Sequence, residues 1–141
     1  MTITCRGGTF VPPAPAVVPR RVLLAEDGAV NQRLIVCLLR NAGHEVQVVD
    51  NGRDAVDAWT SQPFHIVLMD VEMPVMDGLA ATRAIRSYES RRGTRLPIVA
   101  VTTRDNQRDC LAAGMDAHLN KPLRLDRLNR TLQVVLPKSA A

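Results

Sequence analysis

From Arg20 onward, short apolar runs alternate with stretches of helical spacing. The apolar runs predict strands over 21–26, 45–49, 64–69, 97–102 and 117–119. The stretches between and after them predict helices over 30–41, 53–61, 78–90, 106–113 and 125–135. In the last helix Leu125, Leu128, Leu132 and Val135 recur at 3-4-3 spacing, a single stripe facing a core. Punctuation supports these limits. Gly43 and Gly114 stand at C′ positions past helix ends. Asn51-Gly52 forms a turn before the second helix. Pro63 stops that helix, and Pro97 opens the fourth strand, where its missing N–H matters little.

Five strands alternating with five helices predict an α/β fold, a parallel sheet with helices on both faces. Right-handed crossovers leave few topologies. The flavodoxin-like doubly wound order 2-1-3-4-5 is the natural one for five βα units, and it sets strands 1 and 3 side by side at the switch point. Residues 20–137 are expected to form this domain. Residues 1–19 carry one charge, Arg6, and four prolines, Pro12, Pro13, Pro15 and Pro19, and read as a linker or disordered tail. Residues 138–141 read as a second tail.

The chain has 141 residues, room for one domain with one core. Aromatic residues make up only 3%, so the core must be aliphatic and a base-stacking surface is not expected. The formal charge is +4. A basic surface suits nucleic acid or an acidic partner, but on charge alone a solvated surface is the better account. The three cysteines match no metal spacing; Cys37 and Cys110 lie in apolar helical stretches and read as reduced, buried thiols of a cytoplasmic protein. No apolar run is long enough to span a membrane, and the N-terminus lacks the pattern of a signal peptide. After Leu136 nothing supplies a helix-turn-helix, so direct nucleic-acid binding is not expected.

The chemistry collects at strand ends. Asp70 ends the run Phe64-His65-Ile66-Val67-Leu68-Met69 and is followed by a loop containing Pro74 and Gly78. Glu26 and Asp27 end the run Val22-Leu23-Leu24-Ala25, Thr102 ends a third, and Lys121 follows a fourth. The ends of parallel strands are where such folds bind ligands. Mg²⁺ wants oxygen ligands and keeps several waters. Asp27 and Asp70 are the expected direct ligands, with Glu26 acting through water and a backbone carbonyl near Glu72 completing the shell. Three clustered acids repel one another unless a cation lies between them. Asp70 could then attack phosphorus, with Lys121 and the metal neutralising the transferring group and the Thr102 hydroxyl turning toward it.

The chain resembles the response-regulator receiver domains of two-component signalling over about residues 20–137. The likeness rests on Ala25-Glu26-Asp27 with Asn31-Gln32, on Met69 to Gly78, on Val101-Thr102, and on Ala112-Ala113-Gly114-Met115-Asp116 running to Lys121-Pro122. Its wording is most like receivers of hybrid histidine kinases and phosphorelays. The resemblance implies that Asp70 accepts a phosphoryl group from a histidine kinase or histidine phosphotransfer protein, that Glu26 and Asp27 bind Mg²⁺, that Lys121 contacts the phosphoryl group, and that the bond to Pro122 is cis. Leu34 to Leu39 are six apolar residues in a row on the first helix, more than one face on a sheet can bury, so they either lie under the N-terminal tail or mark a docking surface; the resemblance implies docking at the first helix, with Asn31, Leu34, Val36 and Leu38 as candidates and Pro122, after Lys121, as a further one.

Three positions depart from the family pattern. His118 stands where a Tyr or Phe is usual, and is either a switch residue moving with Thr102 or an outward-facing strand residue. Thr103 replaces a small residue, and with Glu72 it is expected to alter phosphoryl lifetime. The segment from Thr102 to Gly114 is about one helical turn short. Two other functions fit parts of the pattern. A phosphatase of the haloacid-dehalogenase type would use Asp70 and Glu72, but Met73-Pro74-Val75 does not fit it. A receiver-shaped module working without phosphate would tolerate the short segment, but not explain the acid pocket.

Overall fold

The computed structural model of the chain describes residues 19–103 and 106–136. In chain order the elements are β1 (Arg21–Ala25), α1 (Ala29–Asn41), β2 (Glu45–Val49), α2 (Gly52–Ser61), β3 (Ile66–Asp70), α3 (Gly78–Arg92), β4 (Ile98–Thr102), α4 (Gln107–Ala113), β5 (Ala117–Asn120) and α5 (Leu125–Val135). The strands form one parallel sheet in the order β2-β1-β3-β4-β5, the expected doubly wound topology. Apart from Pro19, the segments expected to be tails lie outside the described residues.

The central strands are apolar throughout because both faces are covered, and the strand period of two divides their side chains between two cores. Leu23, Ala25, Val67, Met69, Ile98 and Ala100 pack with residues of α2, α3 and α4. Val22, Leu24, Ile66, Leu68, Val99 and Val101 pack with residues of α1 and α5. Side-chain caps fix the starts of α2 and α3. The Asn51 side chain accepts the Asp54 N–H at 2.8 Å, and Asp77 accepts the Ala80 N–H at 2.8 Å.

Some limits shift. The strand expected over 64–69 runs from Ile66 to Asp70, because pairing with β1 begins at Ile66 and Asp70 itself pairs with Val101. The third helix continues to Arg92, beyond its apolar spacing, and Gly93 closes it at a φ of 71°. The fourth is the shortest, seven residues, as its segment length implied. Leu125 does not join the core stripe of α5; it is 42% exposed at the first turn, ahead of buried Leu128 and Leu132. Cys110 is buried as expected, whereas Cys37 is only half-buried.

Candidate functional site

β1 and β3 are neighbours, so the residues after Ala25 meet the carboxylate of Asp70 at the carboxyl edge of the sheet. Oxygens of Glu26, Asp27 and Asp70 lie within 4.8 Å of one another. Their surroundings differ. Glu26 and Asp70 are buried, and Asp27 is exposed. One Glu26 oxygen accepts the Gly28 N–H at 2.9 Å, and the other meets the Lys121 ammonium at 2.7 Å. Lys121 also reaches Asp70 at 3.2 Å. The second Asp70 oxygen accepts the Glu72 N–H at 3.2 Å.

Burial and the nearby Glu26 charge push the Asp70 carboxyl up to about 6, against the opposing pull of Lys121. Burial disfavours the Lys121 ammonium, but Glu26 and Asp70 outweigh that and raise its pKa. The sequence pointed to Lys121 as a partner of the transferring phosphoryl group. In the fold it first serves as counter-ion to two buried acids.

The loop after β3 is held tightly. Gly52 donates to the Met76 carbonyl at 2.8 Å, and Gly78 to Val71 at 2.8 Å. A Cβ at Gly78 would lie 2.1 Å from the Asp70 carbonyl oxygen, so only glycine fits there. The Met76 N–H bonds Pro74 at 2.7 Å across Val75, whose φ is 68°. That is the rare hand of γ-turn, occupied by a β-branched residue.

Thr102 is buried at the end of β4, and its carbonyl accepts the Lys121 N–H at 2.9 Å. The Lys121–Pro122 peptide is cis, as the resemblance implied. Thr103 and Glu72 are both exposed at the same edge. His118 lies on β5 opposite Ala100; its residue is half-buried and its Nε2 is shielded, with no hydrogen-bond partner among the described residues.

The expected docking surface needs correction. Val36 is 2% exposed and belongs to the core, because a helix on a sheet turns Ile35, Val36 and Leu39 inward together. Leu38 is half-buried against the same core. Leu34 is exposed, Asn31 half-buried and Pro122 exposed. Val30, 81% exposed, lies one turn before Leu34 on the same side of the helix, by their i, i+4 spacing.

The family model "Response regulator receiver domain" matches residues 22–133. The chain belongs to the response regulator receiver domain family. Over 107 residues this receiver domain is 48% identical to the sensor histidine kinase GacS of Pseudomonas protegens, covering 73% of this chain and 12% of that protein. It is 33% identical to a probable histidine kinase of Oryza sativa subsp. indica, covering 88% of this chain and 16% of the kinase. The chain therefore spans only a small part of these relatives.

Among solved structures, the receiver domain of a sensor histidine kinase from Pseudomonas aeruginosa, with magnesium coordinated in its active-site cleft, is 40% identical with a TM-score of 0.76. The match covers 84% of this chain and 98% of that one. The Saccharomyces cerevisiae Ssk1 receiver domain, crystallised with the histidine phosphotransfer protein Ypd1, is 29% identical with a TM-score of 0.77, over 82% and 87% of the two chains. This is a signalling module of the kind carried by hybrid histidine kinases and phosphorelay proteins. No helix among the described residues is long and apolar enough to cross a membrane.

Proposed function

We propose that Asp70 is the phosphoacceptor of this receiver domain, taking a phosphoryl group from a phosphohistidine on a histidine kinase or a histidine phosphotransfer protein. The observation that carries the reading is one buried carboxylate, Asp70, set 3.2 Å from a lysine and within 4.8 Å of two further acids. A carboxylate oxygen of Asp70 attacks phosphorus in line. The P–O bond forms as the P–N bond to the donor imidazole breaks, and the imidazole leaves with the electron pair.

The donor set, all oxygen and strongly anionic, fits Mg²⁺. Asp27 and Asp70 would hold it directly, with the Glu72 carbonyl, and Glu26, held by Lys121 at 2.7 Å and by the Gly28 N–H at 2.9 Å, would act through water. When bound, Mg²⁺ neutralises charge on the transferring phosphoryl group. Lys121 moves part of its hydrogen bonding from the acids to a phosphoryl oxygen. Thr102 turns its hydroxyl to another, and His118 on the adjoining strand follows that movement. The added charge biases the loops around Thr102 and hence an interaction surface. Thr103 and Glu72, exposed at the mouth, set the access of hydrolytic water. Free thiols at Cys37 and Cys110 suit the reducing cytoplasm.

The test is acetyl phosphate with Mg²⁺, read as intact mass, on the wild type and Asp70→Asn. A single Mg²⁺-dependent phosphoryl adduct lost in the variant is expected. A folded wild type that takes no adduct overturns the reading. Dephosphorylation of Thr103→Ala, compared with the wild type, tests the role of Thr103; equal rates refute it.

A further inference from the structure

Of Glu26, Asp27 and Asp70, Asp27 is the one whose side chain has no hydrogen bond or ion pair among the described residues, so where its carboxylate can reach is set by the backbone that carries it. That backbone runs from Glu26 to Gly28 and leads into α1, a helix that starts on glycine with no side-chain cap and no acid in its first turn. One residue holds the segment from both sides. The Gln32 side-chain amide donates to the Glu26 carbonyl, and the Gln32 backbone N–H donates to the Gly28 carbonyl at 2.9 Å. These two carbonyls flank Asp27 in the chain. The Gly28 N–H closes the loop by donating to the Glu26 side chain. A helix start normally relies on a capping side chain at its first residue; here the ordering comes from a half-buried amide one turn inside the helix.

We infer that Gln32 is a positioning residue for the cation site: its amide fixes the Glu26–Asp27 peptide and so the direction of the Asp27 carboxylate. Gln32 touches neither metal nor phosphoryl group. Outer groups that orient ligands change metal affinity by about tenfold or more when removed. A residue that merely starts a helix would change stability and leave that affinity alone.

The inference rests on the reading that these acids hold Mg²⁺, and the experiment separates the two. Mg²⁺ affinity and thermal unfolding are measured on the full chain for wild type, Asp27→Asn and Gln32→Met. Loss of Mg²⁺ binding in Asp27→Asn upholds the underlying reading; retained binding overturns it, and this inference with it. Met keeps the length of Gln without a donor, so Gln32→Met is expected to bind Mg²⁺ about tenfold more weakly. A Gln32→Met protein with wild-type Mg²⁺ affinity overturns the inference, whatever its melting temperature. Should Gln32→Met not fold, the wild type decides. Added Mg²⁺ should move the Gln32 side-chain amide resonances, and resonances that stay in place overturn the inference.

Discussion

At the scale of single residues, the site trades stability for chemistry. Asp70 is 4% exposed beside Glu26, and its carboxyl is raised from 3.8 to about 6. The folded protein therefore holds this proton more tightly than the unfolded chain does. In the absence of metal, the resulting stability is fully present below pH 3.8 and is lost as pH rises through about 6. At neutral pH the ionised side chain should cost on the order of 1–3 kcal/mol. Asp70→Asn removes that charge, so urea unfolding of the metal-free variant at pH 7 should show a gain of that order. Mg²⁺ should narrow the gap by binding the wild type alone. A variant no more stable than the metal-free wild type would contradict this account. Val75 is the second costly residue. Its φ of 68° disfavours a β-branched side chain, which is 83% exposed and contributes little packing. Val75→Gly relieves the strain, and after the entropy that glycine adds to the unfolded chain it should raise stability by about 0.5–1 kcal/mol, measured by urea unfolding.

At the scale of elements, strands, helices and the acid cluster were legible in the sequence because each rests on a local rule. Buried parallel strands must be apolar, helices show their stripe, and ligand-binding acids collect at strand ends. What could not be read depends on tertiary contact. Arg86 on α3 donates to the carbonyls of Gly114 and Leu96, to Glu89 at 2.6 Å and to Asp116 at 2.7 Å. Asp116 also accepts from Arg95 and from the Ile98 N–H, and Glu89 accepts the Leu96 N–H. The network ties α3 to the entry of β4 and to the turn after the short α4, over sequence separations of up to 30 residues, and no periodicity announces it. Nor could spacing show that Lys121 reaches back to Glu26, or that Val36 turns inward while Val30 stays out. Arg86→Ala leaves the buried Glu89 without its ion pair and the half-buried Asp116 with Arg95 alone. It should cost about 3–5 kcal/mol in urea unfolding, with faster amide exchange at residues 114–116. A loss under about 1 kcal/mol would mean that the network is dispensable.

At the scale of the whole molecule, the proposed phosphotransfer requires a phosphohistidine on a partner to reach a carboxylate buried at the edge of a sheet. The partner must seat beside the mouth of the site. Exposed apolar residues occur there: Val30 (81%) and Leu34 (40%) on α1, which follows β1, and Val75 in the loop that follows neighbouring β3. Val30 and Leu34 are neighbours one turn apart on the same helix face, and exposed apolar side chains so paired favour a protein interface. A small phosphodonor needs no such seat. Val30→Glu and Leu34→Glu should therefore leave acetyl phosphate labelling of Asp70 unchanged, while slowing transfer from a histidine phosphotransfer protein by about tenfold or more. Because both side chains are exposed, unfolding free energies should stay within about 0.5 kcal/mol of the wild type. Val36→Glu cannot serve the same purpose. It would bury a charge in the α1–α5 core and unfold the domain, slowing both donors together. Equal transfer rates for wild type, Val30→Glu and Leu34→Glu would move the docking site off α1. Slower labelling by both donors would instead mean that these residues shape the acid pocket, since only a defect confined to the protein donor reports on docking.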